Sequence, residues 1–228
     1  MSETRVYPDR GSLAGGLAEQ VASELNKAIK KRGRATLAVP GGKTPREFLA
    51  ALSEQDVEWE SVSVILTDER FVPERSDRSN ARVVKELLLQ NKAEDANFYP
   101  YYREVERVED ALPMIAIDLE EVLPIDVCIL GMGVDMHTAS LFPGAENIEE
   151  AVGLWAPHVM VMYEPTLPEA RLTLTAPVLE RARKAHILIF GEEKKKALRE
   201  AQKIGLVEDA PIRVILNRAR ATSIHYAD

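Results

Sequence analysis

The amino-acid sequence predicts a three-layer α/β/α fold with a mainly parallel, Rossmann-like sheet, and three observations lead there. Short, nearly all-apolar runs such as Val62–Leu66 and residues 127–130 alternate along the chain with longer segments of helical periodicity. A strand without a polar face needs cover on both sides, which a parallel sheet between two helix layers provides. The loops after these runs are rich in glycine and charged residues, and in open α/β sheets the ligand site lies outside the carboxyl ends of the strands.

Leu13, Leu17, Val21, Leu25 and Ile29 recur at helical spacing, and Gly33 follows the basic Lys30-Lys31-Arg32, so the chain opens with a helix over residues 13–29 stopped at Gly33. Ala35–Val39 reads as a buried strand running into Pro40-Gly41-Gly42, with a helix resuming near Thr44-Pro45. A strand at Val62–Leu66, a loop over residues 67–79 and a helix over 80–90 follow. A helix over 105–123 ends at Pro124 and leads to a strand over 126–130. Beyond a Gly-rich loop, strands are expected at 158–162, 171–175, 185–190 and Arg213–Leu216, with helices at 177–183 and 192–204.

With 228 residues, 46% of them hydrophobic, and no internal repeat or linker, a single domain over residues 1–228 is the expectation. There is no uncharged apolar stretch of about 18 residues and no secretory pattern at the start, so a cytoplasmic protein is expected. The one cysteine, Cys128, sits in an apolar run and reads as a small buried hydrophobe. A formal charge of −8 argues against partners that are nucleic acid or anionic membrane, which need broad basic surfaces. A phosphorylated metabolite remains compatible, held by a few local cations and backbone donors. The chain is expected to work as a monomer or a small homo-oligomer.

Three loops carry residues suited to chemistry. In Gly41-Gly42-Lys43-Thr44-Pro45 the glycines let the backbone approach a ligand, and the following helix start supplies amide donors for phosphate. An ordinary turn with Thr44 as N-cap and Pro45 as first helical residue fits the same residues. Neither the P-loop nor the dinucleotide pattern is present, and no cofactor is expected. Asp68-Glu69-Arg70 directly after an apolar strand is costly to hold together unless the charges pair or meet a ligand; the alternative is an acid–Arg pair fixing the loop, with Ser79 or Asn80 capping the next helix.

The third loop, residues 131–144, is the most informative. His137 is the only histidine in a Gly-rich loop at a strand's carboxyl end, with Asp135 two residues away. Imidazole, with an unperturbed pKa of about 6.5, suits proton abstraction from water, and a carboxylate partner can orient the ring and fix its tautomer. The alternative is a histidine hydrogen-bonded to loop backbone. His158, His186 and His225 lie in strand-like or terminal segments without HExxH spacing, so no metal site is expected. Ser140 lacks the G-x-S-x-G elbow and reads as a helix-start or backbone-bonding residue. Arg171 begins a strand, and Lys194 stands in a first helical turn, where a cation is misplaced for the helix dipole unless an anion is near. A solvated Lys194-Lys195-Lys196 run is the competing reading.

In this order, Gly-Gly-x-Thr-Pro at 41–45, Asp-Glu-Arg at 68–70 with Val72-Pro73 and Ser79-Asn80, Gly-x-Gly-x-Asp-x-His-Thr-Ala-Ser-Leu-Phe-Pro-Gly at 131–144, Arg171-Leu-Thr-Leu-Thr and Gly191-x-x-Lys194 resemble the glucosamine-6-phosphate isomerase/6-phosphogluconolactonase family over nearly the whole chain. The resemblance implies metal-free hydrolysis of a phosphorylated sugar lactone. His137 would activate water, Asp135 would orient it, and Arg70 would face the sugar end of the pocket. Gly41, Gly42, Lys43, Thr44, Asp68, Arg171 and Lys194 would bind the substrate and its phosphate. The deaminase branch resembles Asp-Gly-His-Ile-Ala-Phe-Asn-Glu-Pro, and Phe142 stands where that branch has its acid–base glutamate. A phenyl ring cannot shuttle protons, so amine loss is the runner-up and a non-catalytic sugar-phosphate sensor the third reading. Two positions depart from the family pattern. Met136 replaces a glycine, which strains the loop if that position needs positive φ, and Pro40 replaces a serine, removing a hydroxyl and an amide donor.

Overall fold

In the computed structural model, which describes residues 2–163, 168–218, 220 and 222–228, a seven-stranded parallel sheet runs in the order β1 (Ser2–Val6), β10 (Thr222–Ala227), β9 (Lys184–Phe190), β6 (Val127–Gly131), β2 (Ala35–Val39), β3 (Val62–Leu66), β5 (Asn97–Tyr99). A second sheet of three antiparallel strands has the order β4 (Asp68–Arg70), β8 (Arg171–Leu174), β7 (Val159–Met162). The helices are α1 (Arg10–Arg32), α2 (Arg46–Ser53), α3 (Asn80–Leu87), α4 (Leu112–Val122), α5 (Ile148–Val152), α6 (Ala176–Arg181), α7 (Gly191–Ala201) and α8 (Arg213–Leu216). No described helix is long and apolar enough to cross a membrane.

The α/β reading holds because the central strands are buried throughout: every residue of β2 is buried, as are the first four of β6. Helix α1 lays Leu13, Leu17, Val21, Leu25 and Ile29 into the core. Its ends are set as the sequence indicates at Gly33, which takes a left-handed φ of 75° and donates its N–H to the Ile29 carbonyl at 2.7 Å. At the other end Asp9 caps the Ser12 amide at 2.7 Å, so the helix starts at Arg10, three residues earlier than periodicity shows. Cys128 is buried, and burial pushes its thiol up to about 12.

Other assignments need correction. Arg213–Leu216 is a helical turn rather than a strand. Its β-branched residues match a strand locally, but the place beside β9 is taken by β10, which periodicity missed together with the polar edge strand β1. Part of the expected loop over 67–79 is strand β4, and β7 and β8 belong to the small antiparallel sheet, not the parallel one. Helices α3 and α7 stop earlier than expected, and α4 starts at Leu112, preceded by a 3₁₀ turn at Val108–Ala111.

The strand order places the site. From β2 the chain moves outward through β3 to β5; it then returns to insert β6 on the other side of β2 and moves outward again through β9 and β10. The direction of winding therefore reverses between β2 and β6, and the loops leaving their carboxyl ends diverge to leave a crevice. Those loops begin at Pro40 and Met132.

Candidate active site

A cavity of about 350 Å³ occupies this crevice, within the size range of small-ligand pockets. Gly41, Gly42, Lys43, Thr44, Asp68, Arg70, His137, Arg171 and Lys194 all line it. Asp135 joins them through His137.

The loop after β6 builds a carboxylate–imidazole pair. Asp135 Oδ1 lies 2.6 Å from His137 Nδ1 and also accepts the His137 amide at 3.3 Å. A carboxylate can only accept, so Nδ1 carries a proton, and in the neutral ring the lone pair belongs to Nε2. The His137 hydrogen bond holds the Asp135 carboxyl below its usual range, so the partner stays ionised. Phe142 packs on the imidazole with ring centroids 4.7 Å apart. Two backbone features make the pair possible. A Cβ on Gly133 would fall 2.2 Å from Asp135 Oδ1 and 2.3 Å from His137 Nδ1, so only glycine leaves room for them. Met136 between them sits at φ 68°, so the strain foreseen for a non-glycine residue at that place is present.

The loop after β2 offers donors. Gly42 takes φ 81°, and among the described residues the amides of Gly41, Gly42, Lys43 and Thr44 have no acceptor within the protein. A run of unpaired amides at a helix start is suited to an anion. The N-cap position of α2 falls on Pro45, not Thr44, and carries no side-chain cap bond, so the Thr44 hydroxyl is not committed to capping.

The Asp68-Glu69-Arg70 segment resolves its charges without an internal ion pair. Glu69 is fully buried and accepts the amides of Arg70, Asn80 and Ala81 at 2.7, 2.7 and 2.8 Å, and Ser79 Oγ at 3.1 Å. Burial still pushes its carboxyl up, against the pull of those amides. Ser79 caps α3 by accepting the Arg82 amide at 3.2 Å. Asp68 accepts Ser140 Oγ at 2.6 Å, so Ser140 is neither a helix start nor backbone-bonding through its hydroxyl; it ties the third loop to the second.

Cations converge on the same cavity. Arg70 and Arg171 are register partners across β4 and β8, and like charges facing each other on adjacent strands are destabilising unless an anion lies between them. The Nε of each is buried without a hydrogen-bond partner. Burial and the neighbouring Arg70 guanidinium both push the Arg171 pKa down. Lys194 makes no ion pair within 4.0 Å among the described residues, whereas the adjacent Lys195 pairs with Glu192 at 3.5 Å. Burial pushes the Lys194 ammonium down and Asp135 draws it back, so it is not part of a solvated lysine face.

Sequence reasoning noted Asn80 only as a helix opener and overlooked Leu188; both line the cavity. Leu188 lies two residues before the end of β9, the position from which a side chain reaches a carboxyl-end crevice. Away from the cavity, His186 and His225 meet in the core, their nitrogens 3.1 Å apart, because they face the same way on adjacent strands.

A family model described as glucosamine-6-phosphate isomerases/6-phosphogluconolactonase matches residues 8–224. The 6-phosphogluconolactonase of Rhizobium meliloti is 41% identical, over 94% of this chain and 93% of its own length. That of Mesorhizobium japonicum is 43% identical, over 93% and 90%. Among solved structures, a 6-phosphogluconolactonase from Shewanella baltica matches with a TM-score of 0.96 at 33% identity, covering 100% of this chain and 98% of that one. A monomeric glucosamine-6-phosphate deaminase matches with a TM-score of 0.81 at 16% identity over 98% and 97%, a likeness of fold alone.

Proposed function

The chain belongs to the glucosamine-6-phosphate isomerase/6-phosphogluconolactonase family, and from that premise we propose that it hydrolyses 6-phospho-D-glucono-1,5-lactone to 6-phosphogluconate in the oxidative pentose phosphate pathway, with His137 as general base. The observation that carries the catalytic assignment is the Asp135–His137 pair at the lip of a cation-lined cavity. His137 Nε2 takes a proton from water as its oxygen bonds to the lactone carbonyl carbon. The tetrahedral intermediate then collapses, the bond from that carbon to the ring oxygen breaks, and the imidazolium returns its proton to the departing oxygen. Asp135 stays ionised throughout and stabilises the imidazolium. No covalent enzyme intermediate is required, since a lactone carbonyl accepts activated water directly.

The phosphate is held by the free amides of the Gly41–Thr44 segment with the Thr44 hydroxyl, Arg171 and Lys194, at Lys43's exposed edge of the cavity. Asp68 and Arg70 face the sugar. Phe142 at 4.7 Å from the imidazole sets a hydrocarbon ring where deamination chemistry needs a proton carrier. Incubation with the lactone and, separately, with glucosamine 6-phosphate tests the reading: accelerated acid release from the lactone supports it. Ammonia from the amino sugar, or saturable binding of either compound without turnover, would overturn it.

A further inference from the structure

We propose that Asn80 is a positioning residue that presents the free edge of Arg70 to the substrate, a role that rests on the sugar-facing place given to Arg70 above. Asn80 opens α3 and is 3% exposed, so its carboxamide is turned into the protein rather than to surface water. Its Oδ1 accepts Arg70 Nη1 at 2.5 Å and its Nδ2 donates to the Asp68 carbonyl at 2.8 Å. Its amide donates to Glu69 at 2.7 Å. The first loop rests on the same carboxamide, since a Cβ on Gly41 would come within 2.1 Å of Asn80 Oδ1. One side chain thus touches both of these cavity-lining loops.

The consequence falls on the guanidinium. Nη1 also donates to the Arg78 carbonyl at 3.0 Å, so both of its hydrogens are committed. Nε is buried with no partner, and among the described residues Nη2 has none either, so the Nε–Nη2 edge is free of protein acceptors in a residue that lines the cavity. That edge is the planar fork that binds two oxygens at once. A buried donor without a partner is costly by itself, and a ligand oxygen removes that cost on arrival. The chemistry of the anchor matters as much as its place. A carboxylate at position 80 would pair with Arg70 and neutralise it, whereas an amide oxygen fixes the same nitrogen and leaves the charge available. The neighbouring carboxylates are kept away from Arg70 in the same manner: Asp68 is held by Ser140 Oγ and Thr67 Oγ1, Glu69 by the α3 amides, and among the described residues none lies within ion-pair distance of Arg70.

A double-mutant cycle on lactone turnover tests this. Asn80→Ala is expected to raise KM roughly 10-fold while kcat falls less than about 3-fold, and the nearly isosteric Asn80→Asp to be worse, roughly 100-fold in kcat/KM. In an Arg70→Ala background either substitution should cost at least about 3-fold less in kcat/KM than in the wild type, leaving only the part that acts through the Gly41 loop. Equal losses in both backgrounds, an Asn80→Asp enzyme as good as wild type, or an Arg70→Ala enzyme with unchanged KM would each overturn the proposal. Melting temperatures of all variants identify a folding defect, and Asn80→Ser replaces the alanine variant where that one does not fold. The same cycle read as Kd for 6-phosphogluconate by calorimetry decides the role of Asn80 even if the wild-type chain fails to turn over the lactone, an outcome that would strike the proposed function alone.

Discussion

A methyl group added at Gly133 has no space to occupy, because the carboxylate and imidazole of the next residues lie against its Cα. Gly133→Ala is therefore expected to displace the Asp135–His137 pair and lower kcat by roughly 10- to 100-fold with little change in KM, measured by steady-state kinetics. On the role proposed for His137, His137→Ala should cost at least about 100-fold in kcat. An alanine variant at His137 with near-wild-type turnover would exclude it as the base. Met136 offers a test of stability at the same turn. Its left-handed φ of 68° costs about 1–2 kcal/mol for a residue with a Cβ, and a β-branched side chain tolerates it least. In urea denaturation Met136→Val should lose a further 1–2 kcal/mol or so, while Met136→Gly relieves the strain and gives up only part-buried packing.

At the scale of elements, the start of α3 depends on a carboxylate from another strand. Glu69→Ala strands three amides in a dry environment and is expected to destabilise the fold by about 2–4 kcal/mol, read as a shift in denaturant midpoint at unchanged slope. This interaction shows where sequence reading succeeds and where it stops. The apolar runs of β2, β3 and β6 and the loops that follow them were legible because burial on both faces leaves a continuous hydrophobic signature. The residues 213–216 were misread because β-propensity is local, whereas sheet membership depends on which neighbours are vacant. Likewise, Asp68-Glu69-Arg70 announced costly charges, but their partners lie on α3 and in the third loop, at separations of about ten to seventy residues that no spacing rule reveals. The cation set was visible in sequence; the facing of Arg70 and Arg171 required the register of β4 against β8.

Across the whole molecule, a buried polar chain ties the first helix to the far edge of the sheet. Tyr7 OH lies 3.0 Å from His225 Nδ1, His225 Nε2 lies 3.1 Å from His186 Nδ1, and His186 Nε2 lies 2.8 Å from Glu24 Oε2. Burial, then the charges of His186 and Arg5, push His225 down to about 3, while Glu24 pulls the other way. Glu24 itself sits below its usual range, burial being outweighed by its contacts with His186, Gln20 and Lys184. In the unfolded chain a histidine takes up its proton near pH 6.5 or so, and in the folded protein His225 does so only near 3. The unfolded state binds more protons between those values, so this contribution is complete above about pH 6.5 and is lost as pH falls towards 3, at about 1.4 kcal/mol per pH unit. The depressed Glu24 adds loss in the same direction below about pH 4.3. Urea midpoints measured between pH 7 and 4.5 should therefore fall steeply, and His225→Phe should flatten that slope even if it lowers stability at pH 7. A wild-type midpoint that does not move across this range would contradict the account.

The insertion of β6 between β2 and β9 has a kinetic meaning as well. The strands that frame the crevice come from the first and the second half of the chain, so no early hairpin or local helix pair can bring His137 and the Gly41–Thr44 segment to one cavity. Closing such distant segments is slow compared with forming helices. On dilution from denaturant, recovery of lactone turnover should accordingly trail the recovery of helical circular dichroism, and the lag would time the arrival of the sixth strand at its seam.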